Sequence, residues 1–113
     1  MLARENRIVS PADFRRAMRK GRRLSTGHTV VHITSNNDSE TRFGFIVSKV
    51  TGNAVARNLV KRRLREIAAD SINEFPKGTD VVIRVLAGAE TLSMAELTAE
   101  VASAIAKGIR KLK

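Results

Sequence analysis

The stretch that decides the fold is residues 52–66, which read GNAVARNLVKRRLRE. At about 100° per residue, its apolar side chains share one arc of a helix, and most of its basic and amide side chains share another. The apolar arc consists of Ala56, Val60, Leu64 and Ile67, and the basic arc consists of Arg57, Asn58, Lys61, Arg62 and Arg65. The pattern predicts a helix with one face packed on a core and one face that offers cations.

The basic arc lacks the acidic groups that normally balance such a charge density. Residues 42–65 carry seven lysines and arginines and no aspartate or glutamate, although acids four residues away would relieve the repulsion. Arginine pairs with phosphate through two parallel hydrogen bonds. A solvated helix that only confers solubility is the alternative, but the charge pattern favours binding to nucleic acid.

Length and composition indicate one basic domain, residues 1–113, with a net charge of +10. The chain has no cysteine and two histidines, so we expect no metal site in it. No apolar run approaches the roughly 20 residues of a membrane span, and the N-terminus lacks the features of a signal peptide. We therefore expect a cytoplasmic protein without a membrane partner.

Capping residues predict three helices. Ser10 is a suitable N-cap for a first helix that ends at Gly21. The basic helix begins after Asn53 and is expected to continue to about Asn73. Ser93, with Glu96 three residues later, forms the pattern of a capping box and opens the last helix.

Three runs of apolar and β-branched residues predict strands at 29–35, 42–48 and 81–86. The first two are expected to form an antiparallel hairpin across the polar turn at 36–40, and a short extra strand is expected near 24–26. The predicted fold class is α+β: a small two-layer sandwich of one mainly antiparallel sheet with helices packed on it, in the order α-β-β-α-β-α.

A second candidate site involves the first helix and the first long strand. Phe14 and Met18 lie on the apolar stripe of the helix, and Val30 and His32 alternate onto one face of the strand. A groove between them would be flanked by Arg15, Arg19 and Lys49, a combination that suits a single strand of nucleic acid. On the pattern alone, a core role for Phe14, Met18 and His32 is favoured over this groove.

Catalytic residues are not predicted. The sequence contains no set that would form a nucleophilic triad and no glycine-rich nucleotide fingerprint. Asn53 stands at the start of the basic helix, where a phosphate would meet free backbone N–H groups. If the protein takes part in an enzyme, the catalytic groups are expected to come from a partner.

Several short motifs together resemble one known family. The central motif consists of FIVSK at 45–49, GNAV at 52–55, RN at 57–58, KR at 61–62 and RE at 65–66. The N-terminal part adds RENR at 4–7, DF at 13–14 and KGR at 20–22. These residues resemble the RNR motif and flanking elements of the bacterial ribonuclease P protein component, over nearly the whole chain and in the same order.

The resemblance implies a protein subunit that assists a catalytic RNA in removing the 5′ leader from precursor tRNA. In that family, Mg²⁺ bound by the RNA performs the hydrolysis, so the resemblance implies an endoribonuclease whose catalytic groups lie outside this chain. It assigns contact with the RNA subunit to Asn53, Arg57, Asn58, Lys61, Arg62 and Arg65. It assigns the leader to a cleft with Phe14, Met18, Val30 and His32, flanked by Arg15, Arg19 and Lys49. The resemblance therefore favours a place in the cleft wall, rather than in the core, for Phe14, Met18, Val30 and His32.

Two other functions remain as alternatives. One is a free-standing RNA-binding or ribosome-assembly protein without an enzymatic role. The other is a DNA-binding module that places the basic helix in the major groove, but no dimer seam accompanies that helix. We therefore expect RNA rather than DNA as the partner.

Overall fold

A computed structural model of the chain describes residues 2–36 and 40–112. Three helices and four strands are present in this part of the chain. The helices are α1 (Pro11–Lys20), α2 (Ala54–Ser71) and α3 (Met94–Leu112). The strands are β1 (Arg22–Ser25), β2 (Thr29–Ser35), β3 (Arg42–Ile46) and β4 (Thr79–Val85). The predicted α+β class and element order are confirmed, and the short extra strand is β1.

The predicted helix starts are confirmed by their caps. The side chains of Ser10 and Asn53 each accept a hydrogen bond from a backbone N–H in the first turn of their helix, at 3.2 and 3.0 Å. Ser93 and Glu96 form two reciprocal hydrogen bonds. The backbone N–H of each residue donates to the side chain of the other, at 2.8 and 3.1 Å. These caps satisfy backbone groups that the first turn of a helix leaves without partners.

The predicted hairpin is wrong. The strand order is β1-β2-β4-β3, so β4 lies between β2 and β3, antiparallel to the first and parallel to the second. Residues 37–39 of the expected turn lie outside the described residues. The physical reason is the composition of β4, whose residues are almost all buried, as is typical of a central strand covered on both faces.

Helices cover both faces of the sheet. On one face, α2 and α3 enclose the main core with Val31, Ile33, Val81 and Ile83. On the other face, α1 packs through Ala17 against Val82, in a smaller cluster. The two-layer description is therefore refined: α1 forms a further layer opposite α2 and α3, while the single, mainly antiparallel sheet is as predicted.

An ion cluster ties α1 to the sheet. Arg42 of β3 donates two hydrogen bonds to the buried carboxylate of Asp80 in β4, at 2.9 and 2.8 Å. Arg42 also contacts Asp13 of α1 at 3.2 Å, and Arg16 of α1 lies 3.4 Å from both carboxylates. The hydrogen bond from Asp80 raises the pKa of the Arg42 guanidinium above its ordinary value, although burial acts in the opposite direction. We call these four residues the ion cluster.

Candidate nucleic-acid interface

The predicted division of α2 into two faces is present in the structure. Val60, Leu64 and Ile67 are buried against the sheet and α3. Asn58, Arg62 and Arg65 are exposed, and Arg57 and Lys61 are half-buried. In the described part of the chain, none of the four cations of the basic arc forms a salt bridge. Their charge is therefore available to an anionic partner.

Arg63 differs from the four cations of the basic arc. It lies on the same helix, but its guanidinium donates a hydrogen bond to the carbonyl of Leu92 at 2.7 Å. This contact fixes α2 to the segment that leads into α3. Arg63 therefore has a structural role.

The turn before α2 requires a glycine. Gly52 has φ of 138°, which L side chains rarely adopt. Asn53, the exposed next residue, uses its side-chain oxygen to cap the helix. The glycine thus fixes the direction in which the basic helix leaves the sheet. The assignment of Asn53 to RNA contact stays a prediction.

The groove predicted beside α1 is only partly open. Met18 lines an open pocket of about 460 Å³ together with Arg15 and Arg19. Val30 and His32, the predicted floor, are only 2% and 4% exposed, on the face of the sheet that α1 covers. The structure therefore brings Met18 together with the two arginines but does not bring Val30 and His32 to the surface. Lys49 is exposed in a short 3₁₀ turn after β3.

His32 has unusual surroundings for a buried histidine. Neither ring nitrogen has a hydrogen-bond partner within the described ranges. Arg23 of β1 pairs directly with His32. Arg84 of β4 lies on the same face of the sheet, two residues after Val82, which pairs with His32 from the other side. Burial lowers the pKa of His32, and the charges of Arg84 and Arg23 lower it further. Burial and both arginines therefore favour the neutral form of the imidazole.

Phe14 faces a different cavity from Met18. This cavity, of about 170 Å³, lies where α1, β3, α2 and the N-terminal segment meet. Its floor contains buried Ile8, Phe43 and Gly44, and its walls and rim are Arg7, Phe14, Phe45, Lys61 and Arg65. We call it the junction pocket. Three of its lining residues are cations and none is acidic.

Sequence reasoning missed Arg7 and Phe45 as parts of this site. Arg7 belongs to a segment that follows the outer edge of β3, where Ile8 donates its backbone N–H to the Phe43 carbonyl at 2.8 Å. Phe45 lies near α2 because it is on the same face of the sheet as Phe43, the face that α2 and α3 cover. No local signal predicts these neighbours, since both depend on the strand order.

Other classes of site are not found in the described residues. No group of three or more acidic, histidine or cysteine side chains is arranged to hold a metal ion there. Within the same ranges, no helix has the length and apolar character needed to cross a membrane.

Comparison with known proteins identifies the family. The Ribonuclease P family profile matches residues 2–108. The chain is 49% identical over 113 residues to the ribonuclease P protein component of Clavibacter michiganensis subsp. michiganensis, covering 99% of this chain and all of that one. It is 40% identical over 111 residues to that of Kocuria rhizophila, covering 98% of both chains. The solved RNase P protein of Staphylococcus aureus matches with a TM-score of 0.81 at 29% identity, covering 92% of this chain and 97% of that one. The chain therefore belongs to the family of ribonuclease P protein components, the RNA-binding subunits of a tRNA-processing enzyme.

Proposed function

We propose that this RNA-binding subunit of ribonuclease P uses two surfaces, one for the catalytic RNA subunit and one for the 5′ leader of precursor tRNA. The basic arc of α2 binds the RNA subunit. The observation that carries this assignment is the set of four cations on α2 that form no salt bridge in the described part of the chain. A free-standing RNA-binding protein is not favoured, because the chain matches ribonuclease P protein components over nearly its whole length.

The leader binds along the outer side of α1. Arg15 and Arg19 supply exposed cations there, beside the half-buried thioether of Met18. Phe14 offers part of its ring toward the junction pocket. Val30 and His32 lie on the sheet face that α1 covers, so they support the helix and do not contact the leader. Single strands suit such a surface, because their backbone follows cations and their bases stack on flat or polarizable groups.

The chemistry of hydrolysis belongs to the RNA and its Mg²⁺ in this proposal. Mg²⁺ prefers free carboxylates and water as ligands. The two carboxylates of the ion cluster, Asp13 and Asp80, are instead engaged by Arg16 and Arg42, so these side chains do not fit a metal-ligand role. The protein contributes phosphate neutralisation, which lets two polyanions approach each other. Its proposed location is the cytoplasm.

The first test measures binding to the RNA subunit across salt concentrations. About five neutralised phosphates imply a slope of the log–log plot of about −4 to −5. In parallel, the RNA subunit is assayed for precursor cleavage at low Mg²⁺ with and without the protein, and cleavage should require the protein. A slope near zero, or equal cleavage in both reactions, would rule out the proposed role.

The second test concerns the leader. Phe14→Ala should weaken binding of precursor tRNA to the assembled holoenzyme by about 1 to 3 kcal/mol, the range of base–aromatic stacking. Binding of mature tRNA, which has no leader, should stay unchanged. Val9→Ala is a suitable control, since Val9 is also apolar but is 80% exposed and lies outside the proposed surface. Equal losses for precursor and mature tRNA would contradict leader binding at Phe14.

A further inference from the structure

The junction pocket combines aromatic and cationic side chains. Phe14 and Phe45 contribute aromatic rings, and Arg7, Lys61 and Arg65 contribute positive charge. These residues come from the N-terminal segment, α1, β3 and α2, so the fold assembles them from four separate parts of the chain. No carboxylate is among the described residues that line the pocket. The pocket therefore lacks an internal anion for its cations.

The walls of the pocket are held in place by the fold. Two nitrogens of the Arg7 guanidinium donate to the Leu2 carbonyl, at 3.2 and 2.9 Å, which fixes this side chain at the rim. The Phe45 ring stacks on Phe43, with ring centroids 6.5 Å apart. A Cβ atom at Gly44 would clash with the Phe14 ring, so the glycine is what lets that ring lie against β3.

The size and chemistry of the pocket select one class of ligand. At about 170 Å³ it is smaller than sites for drug-sized molecules, which measure about 300 to 1,000 Å³. An apolar ligand would leave the cations without a partner, and a bare phosphate would leave the rings unused. A nucleotide has both a flat π-face and a phosphate, and aromatic rings with nearby cations are the common means of binding unpaired bases.

We propose that the junction pocket binds one unpaired nucleotide at the edge of β3, with its base between Phe14 on one face of the sheet and Phe45 on the other, and with its phosphate at Lys61 and Arg65. This inference rests on the proposed function, because it requires RNA on both neighbouring surfaces. The nucleotide comes from the RNA subunit or from the leader. In either case the pocket joins the basic arc of α2 to the surface of α1, so that the two proposed surfaces form one continuous path.

The experiment is a double-mutant cycle with Phe45→Leu and Lys61→Gln. Two affinities are measured: that of the protein for the RNA subunit, and that of the assembled holoenzyme for precursor relative to mature tRNA. Phe45→Leu should weaken one of these affinities by about tenfold, within the range of base stacking. If both side chains hold the same nucleotide, the double variant should lose less than the product of the two single losses.

The matched control is Phe75→Leu. Phe75 also packs against Phe43, edge to face at 5.6 Å, but does not line the junction pocket. It should lower stability at least as much, because Phe75 is buried and Phe45 is half-buried, without changing either affinity. If Phe45→Leu fails to fold, the wild-type protein is titrated with uridine 5′-monophosphate, and the ring NMR signals of Phe14 and Phe45 should shift.

The affected affinity identifies the source of the nucleotide, either the RNA subunit or the leader. Unchanged affinities in both arms with folded Phe45→Leu, or ring signals that do not move in the titration, would overturn the proposal. The slope of RNA-subunit binding against salt keeps this result separate from the proposed function. A steep slope with an inert Phe45 removes only the nucleotide pocket, whereas a flat slope removes the RNA-subunit role of the basic arc.

Discussion

The arginines of the ion cluster and those of the basic arc have opposite surroundings. Arg16 and Arg42 contact Asp13 and Asp80 through four salt bridges. Arg62 and Arg65 of the basic arc are exposed, and in the described chain no carboxylate pairs with them. Residue type is the same in both regions, but the arginines of the ion cluster are neutralised by carboxylates within the fold, whereas the exposed arginines of the basic arc keep their charge for an anionic partner.

The largest expected effect comes from breaking the ion cluster. Asp80→Ala removes a carboxylate that is completely buried and leaves Arg42 without its main partner. Removing one member of a buried ion pair costs about 3 to 5 kcal/mol, so the free energy of unfolding in denaturant should fall by about this amount. Asp13→Ala, at a more exposed site, should cost less than about 1 kcal/mol. Equal losses would show that burial does not set the strength of this cluster.

A smaller effect is expected from the basic arc, and on binding instead of stability. Arg62→Ala combined with Arg65→Ala should reduce the salt slope of RNA-subunit binding by about 2 units, because each lost phosphate contact removes about 0.9. Stability should change by less than about 0.5 kcal/mol, as for other surface substitutions. Circular dichroism melts and binding isotherms on the same samples measure both quantities. A large loss of stability would mean that these arginines also belong to the fold.

His32 differs from both groups of arginines. It is a basic residue without an acidic partner in the described chain, and its surroundings favour the neutral form. Its pKa is below 6.5 in the folded protein because of burial and the charges of Arg84 and Arg23. As the pH falls below 6.5, the unfolded chain binds a proton at this residue more readily than the folded chain does, so the free energy of unfolding should decrease. The slope for one proton is at most about 1.4 kcal/mol per pH unit.

Unfolding free energies measured from pH 7.5 to 5 check this prediction. His32→Leu should remove the part of the pH dependence that His32 causes, while other groups titrate as before. Parallel curves for the two proteins would show that His32 is protonated to the same extent in the folded and unfolded states.

Local features of the fold were predictable from sequence. Ser10, Asn53 and the Ser93–Glu96 pair cap the helices they predict, because capping is chemistry between near neighbours in the chain. The apolar and basic arcs of α2 follow from helical periodicity alone. The pairing of β2 with β3 was wrong because strand neighbours are chosen by the packing of the whole sheet. The nearly all-apolar run VVIRV at 81–85 was the available signal for a central strand.

The candidate site was predictable only where it lies on one helix. The cations of α2 followed from spacing, but the surroundings of Phe14 did not. Its neighbours Arg7 and Phe45 come from the edge of β3, which no local pattern identifies. Val30 and His32 share the strand face that was predicted for them, yet α1 covers that face. Alternation in a strand indicates which side chains point the same way, and the packing of helices decides which of them reach the solvent.

The central position of β4 sets the order in which the chain assembles. β4 is the last strand to leave the ribosome, and it bridges β2 and β3 through pairs such as Val31 with Ile83 and Phe43 with Val81. Contacts so distant along the chain form late, because their loops must close first. A nascent chain that ends before Thr79 can form β1, β2 and a basic helix, but it leaves two strand edges without a partner, a state prone to aggregation. Completion of the sheet therefore waits for synthesis of residues 79–85, which follow the RNA-binding helix in the chain.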